Sequence, residues 1–77
     1  MDEKEEIKKL EQELQWVDYR QKILEIIESK LIQTREIANK VKKEKLSVEE
    51  LEFLNSKINR LLEQVRALDS ESRRIDI

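Results

Sequence analysis

The sequence predicts an all-α protein: two helices folded into an antiparallel coiled-coil hairpin that dimerises into a four-helix bundle. Three observations carry the prediction. First, the 77 residues hold neither Gly nor Pro while 44% are charged and 38% hydrophobic, which is the composition of long helices. Second, apolar residues recur at steps of three and four through both halves of the chain. Third, Ser47 with Glu50 three residues on makes a capping box, the signature of a new helix starting there. The predicted organisation is one helical-hairpin domain over 1–77, with helix 1 at about 3–43, a turn at about 44–47 and helix 2 at about 48–74.

Helix 1 opens on Asp2, Glu3, Glu5 and Glu6, where the amide end of the helix dipole favours carboxylates and Asp2 can cap. From Ile7 onward Glu11, Gln15, Asp18, Lys22, Glu25, Ser29, Gln33, Glu36 and Lys40 fall on one narrow strip, the expected solvent face. Opposite it lies a predicted central seam of Leu10, Val17, Leu24, Ile27, Leu31, Ala38 and Val41. Two wings flank that seam: Trp16, Tyr19, Ile23, Ile26 and Ile37 on one side, and Ile7, Leu14 and Ile32 on the other. An apolar arc this wide exceeds what one neighbouring helix covers.

The turn follows a lysine-rich stretch, Lys42-Lys43-Glu44-Lys45, whose cations suit the carbonyl end of helix 1. Leu46 before the Ser47 cap and Leu51 after it read as a hydrophobic staple. No Gly or Asn stands near Lys43 to Leu46 for a left-handed residue, so a non-Gly residue there would cost about 1 kcal/mol, and a single continuous rod is the alternative.

Helix 2 differs in kind. Leu51, Leu54, Ile58, Leu61, Val65, Leu68, Ser72 and Ile75 alternate steps of three and four, a narrow seam that asks for one main neighbour. Folding the chain at Lys45 pairs Val41 with Leu51, Ala38 with Leu54, Thr34 with Ile58 and Leu31 with Leu61. The same fold pairs Ile27 with Val65, Leu24 with Leu68, Arg20 with Ser72 and Val17 with Ile75. Arg20 is expected to pair with Asp69 or Glu71 as a register-setting polar layer, or else to hold an anionic ligand. Thr34 is expected to bond back to the helix carbonyls.

This pairing leaves Ile7, Leu10, Leu14, Trp16, Tyr19, Ile23, Ile26 and Ile37 as the candidate interface, with no partner in their own chain. Each large side chain left wet forfeits roughly 1.5–3 kcal/mol, on the scale of a small domain's whole stability. The chain has no Cys and no His, which removes disulfides and the usual zinc ligands and leaves association as the source of stability. A second copy packed through helix 1 is the simplest cover, and a heterologous helix would serve the same surface.

Chemistry is sparse. Carboxylates sit on the solvent strip or beside cations at helical spacing, as Glu36 does with Lys40, and the serines have no His to activate them. No enzyme activity, cofactor or metal is expected. The net charge of −2 argues against nucleic acid, and the lysines near the turn lack an aromatic on which a base could stack. No apolar run exceeds two residues, so neither a membrane span nor a signal peptide is expected and the cytoplasm is the default location.

Three short stretches carry resemblances. Glu44 to Leu51 resembles the inter-helix segment of the exonuclease VII small subunit, and Leu54 to Leu62 the signature helix of the sporulation phosphatases. Val17-Asp18 with Ile23-Leu24 is similar to the first helix of helical chorismate mutases. The phosphatase motif's acid would fall on Asn59, and the mutase's upstream arginine and third helix are missing, so no functional residue carries over. The function expected from the residues is a non-enzymatic interaction or oligomerisation module. The alternative is a small accessory or regulatory subunit that docks on a larger enzyme or regulator.

Overall fold

The computed structural model describes residues 2–74. Among these residues there are two helices, α1 (Glu3–Lys43) and α2 (Val48–Arg74), in contact with each other. Tyr19 Oη donates to Glu71 Oε1 at 3.1 Å and Lys30 Nζ donates to Gln64 Oε1 at 2.7 Å. The bond nearer the start of α1 thus lands nearer the end of α2, so the helices are antiparallel. The molecule is a rod of 67 × 17 × 10 Å. No helix among the described residues is long and apolar enough to cross a membrane.

Each helix start is capped by the residues that suit it. Glu5 N–H donates to Asp2 Oδ1 at 2.9 Å, and Glu50 N–H donates to Ser47 Oγ at 3.1 Å while that hydroxyl donates to Glu50 Oε1 at 3.2 Å. The connection is a turn and not a continuous rod. It needs no left-handed residue: Glu44 leaves α1 in an extended conformation, φ −105° and ψ 146°, with its N–H still bonded to Lys40 O. No described residue has positive φ, so the strain expected of a glycine-free turn is avoided by ending the helix in the β region.

The solvent strip of α1 is exposed throughout, and the seam of α2 from Leu51 to Ser72 is covered throughout. Of the predicted seam of α1 only Ile27 and Val41 are covered. From Trp16 to Val41, the covered row of α1 is Ile27, Thr34 and Val41 together with Trp16, Ile23, Lys30 and Ile37, all buried or half-buried. Val17, Leu24, Leu31 and Ala38 are exposed instead. The expectation that Trp16, Tyr19, Ile23 and Ile37 find no partner in their own chain is therefore corrected: Tyr19 bonds to Glu71 of α2, and Ile23 is only 4% exposed. The pairings of Leu24, Leu31 and Ala38 with α2 fall with it. The pairing of Val17 with Ile75, like the end of the seam there, lies outside the described residues.

Two hydrogen bonds between the helices accompany this rotation. Lys30 on the covered face is unfavourable for an apolar seam, but its stem can lie along the groove while its ammonium reaches Gln64 at the edge. Tyr19 makes a second clip to Glu71. Thr34 Oγ1 donates to Lys30 O at 2.8 Å, the expected return to the helix carbonyls, which lets a hydroxyl sit in the seam without a partner from α2.

Candidate interaction surface

The covered and exposed faces of α1 obey the same rule. The covered face follows Trp16, Ile23, Ile27, Lys30, Thr34, Ile37 and Val41, with the exposed Arg20 completing its steps of four and three. Moving each position on by one residue gives Val17, Gln21, Leu24, Glu28, Leu31, Arg35 and Ala38, every one of them exposed. Extended towards the N-terminus, the same row takes in Leu14, Leu10 and Ile7, also exposed. One residue along a helix is about 100° around it, so α1 carries two parallel seams close to a right angle apart.

This second seam is the candidate functional surface. Leu24 and Leu31 are 43% and 46% exposed, and Leu14, which lies beyond the described part of α2, is 67% exposed. Two shallow, open recesses run along it. One is lined by Leu24, Ile27, Glu28, Leu31, Ile32 and Arg35, the other by Trp16, Val17, Arg20, Gln21 and Leu24.

Of the interface residues predicted from sequence, Ile7, Leu10 and Leu14 lie on this seam, and Tyr19 and Ile26 are exposed on the far side of the covered face. Trp16, Ile23 and Ile37 belong to the hairpin interior. Reading the periodicity for a single seam missed Val17, Leu24 and Leu31. The available signal was that α1 holds two three-four repeats one residue apart, the first interrupted by Arg20 and Lys30 and the second by Gln21, Glu28 and Arg35, whereas α2 holds one.

Arg20 does not form the polar layer expected of it. Asp69 is taken by Arg73 within α2, Oδ2 to Nε 3.3 Å, and Glu71 by Arg74 and Tyr19. Arg20 lies instead over the Trp16 ring, 5.5 Å from its centroid, and is exposed. Ser72, the predicted partner of Arg20, is buried at 3% exposure and donates to Asp69 O at 2.9 Å. Trp16 Nε1 is buried without a hydrogen-bond partner among the described residues.

Charge completes the picture. Near the start of α1, Asp2, Glu3, Glu5, Glu6, Glu11 and Glu13 outnumber Lys4, Lys8 and Lys9. Near its end Lys30, Arg35, Lys40, Lys42 and Lys43 face only Glu36. The second seam thus runs from an acidic end to a basic one. Among the described residues no three carboxylates converge as they would around a cation, and the carboxylates lie along the helices in solvent or in ion pairs.

A separate apolar recess opens beside the turn, lined by Lys40, Leu46, Glu49, Glu50, Phe53 and Leu54, with Phe53 largely in solvent. No protein-family model, curated protein or solved structure matches the chain.

Proposed function

We propose that the protein is a non-enzymatic, cytoplasmic interaction module that self-associates through the second seam of α1. The observation that carries this reading is the pair of seams about a right angle apart, because a helix in a four-helix bundle meets two neighbours in roughly that arrangement. The described side chains support it from the stability side as well. None is fully buried, and Ile23 and Leu61 are the only buried apolar residues among them, a slender core for a chain without disulfides. Covering Leu10, Leu14, Val17, Leu24 and Leu31 with a second copy would supply the missing apolar burial. Two hairpins joined in this way form a four-helix bundle with the α1 helices at its apolar seam.

The test is the mass of the chain in solution. Wild type is expected to sediment as a dimer at micromolar concentration, and Leu24→Glu with Leu31→Glu to raise the dissociation constant by about 100-fold, a loss of about 2.7 kcal/mol. Helical circular dichroism of the double variant should persist, because neither side chain faces α2. A wild-type chain that is monomeric at micromolar concentration, or a double variant that dimerises as well as wild type, defeats the reading. Tryptophan fluorescence is not the readout to use, since Trp16 faces α2 and reports on the hairpin.

A further inference from the structure

We infer that the second copy lies antiparallel on the first, with the acidic start of each α1 against the basic end of the other and Leu14 opposite Leu31 of the partner subunit. The inference rests on the self-association proposed above and adds its direction and register. Three features of the second seam lead to it.

The first is the identity of its polar positions. A parallel, in-register pair would set Glu28 against Glu28 of the partner subunit and Arg35 against Arg35 of the partner subunit, both like-charged meetings inside an apolar seam. Antiparallel pairing separates each from its own copy. The second is the charge gradient along α1. Reversing one helix brings Arg35 into the stretch that holds the partner's Glu6, the partner's Glu11 and the partner's Glu13, and it opposes the two helix dipoles.

The third is coverage. The described α2 ends at Arg74, so the first turns of α1 extend past it with Ile7, Leu10 and Leu14 in solvent. Among antiparallel registers that keep the three-four steps in phase, the one centred between Lys22 and Ile23 overlaps the two α1 helices along their full length. It sets Leu14 opposite Leu31, Ile7 opposite Ala38 and Gln21 opposite Leu24. Sliding one helix by a heptad, about 10 Å, in the direction that favours the basic ends uncovers Ile7 again.

The chain has no cysteine, so single cysteines report the arrangement directly. Leu14→Cys and Leu31→Cys are prepared separately, each full length, then mixed, equilibrated and oxidised. The mixture should give a disulfide-linked dimer at least about tenfold above either variant alone, because only the mixed pair places the two sulfurs across the seam. Raising the salt from low to near molar should weaken the dimer of the unmodified chain by roughly threefold or more, as screening removes the end-to-end attraction.

Cross-linking of Leu14→Cys to itself at the level of the mixture would mean a parallel pair and overturn the inference. So would a dimer that shows no mixed cross-link. Association insensitive to salt, or strengthened by it, removes the charge argument. A chain that sediments as a monomer, with no cross-link in any sample, overturns the underlying self-association as well, and so separates the two failures.

Discussion

The two helices carry the same kind of apolar repeat and reach different outcomes. On α2 every position of the three-four row from Leu51 to Ser72 is covered by α1, and little apolar surface is left over except Val48 and Phe53 near its start. On α1 one row is covered and an equally regular row beside it is not. A helix with one seam has a single way to bury it, so its orientation follows from periodicity. A helix with two adjacent seams has two ways, and periodicity alone does not choose between them. Here the choice falls to polar atoms at the seam's edge, Lys30 with Gln64 and Tyr19 with Glu71.

The largest expected effect comes from two neighbouring residues on α1 that belong to different seams. Ile23→Ala removes one of the two buried apolar side chains among the described residues and is expected to cost about 2–4 kcal/mol, enough to abolish the cooperative melt of so small a core. Leu24→Ala, one residue on, removes a side chain that α2 does not cover. In dilute solution, where association is absent, it should shift stability by no more than about 0.5 kcal/mol. Its effect belongs to the dimer and should appear as concentration-dependent weakening. Equal losses in dilute solution would mean that both seams face α2 part of the time, and the contrast between them would disappear.

A smaller effect should come from the one residue that sits on the covered face against its chemistry. Lys30→Leu replaces a half-buried ammonium stem with an apolar side chain and frees Gln64, which is exposed and can turn to water. The expected change is a stabilisation of roughly 0.5–1 kcal/mol, read from the denaturation midpoint. The same variant makes the two faces of α1 more alike, with leucine on both rows. The preference for the observed rotation should therefore weaken even as stability rises, visible as slower hydrogen exchange overall but less uniform protection along α1.

How much of this was legible in the sequence depends on the same asymmetry. The seam of α2, the two caps at Asp2 and Ser47 and the back-bonded Thr34 follow from local chemistry, and local chemistry was enough to place them. The end of α1 falls at Lys43, where the break in the pattern places it, but the way it ends was not legible, because a helix can terminate in the extended region as Glu44 does without any marker residue. The face of α1 was displaced by one residue. Ile27, Thr34 and Val41 belong to both candidate seams, so the competing rows were Trp16, Ile23, Lys30 and Ile37 against Val17, Leu24, Leu31 and Ala38. Hydrophobicity alone favours the second row, since Leu31 stands where the first has Lys30. The observed row wins with bulk at Trp16 and Ile23 and with hydrogen bonds that reach across more than thirty residues of sequence, which no local pattern contains.

The smallest expected effect isolates one of those long-range bonds. Tyr19 donates its hydroxyl proton to the Glu71 carboxylate, and that hydrogen bond raises the phenol's pKa above its ordinary value of about 10, with desolvation and the nearby negative charge acting in the same direction. The protonated phenol is therefore favoured more in the folded than in the unfolded chain. Its contribution to stability is fully present below the ordinary value and is lost as pH rises through the raised one. Tyr19 is the only tyrosine, so its tyrosinate absorbance titrates this group alone. Glu71→Gln should bring the titration down towards the ordinary value, since both the charged acceptor and its field are removed. The alkaline decline of the melting temperature is read as a difference between variant and wild type. Tyr19→Phe should have lower stability than wild type at neutral pH and converge with it above the raised pKa. If the two curves run parallel through the alkaline range, the bond to Glu71 does not hold α1 in its observed rotation, and the choice between its two seams rests on Lys30 and the packing of Trp16 and Ile23.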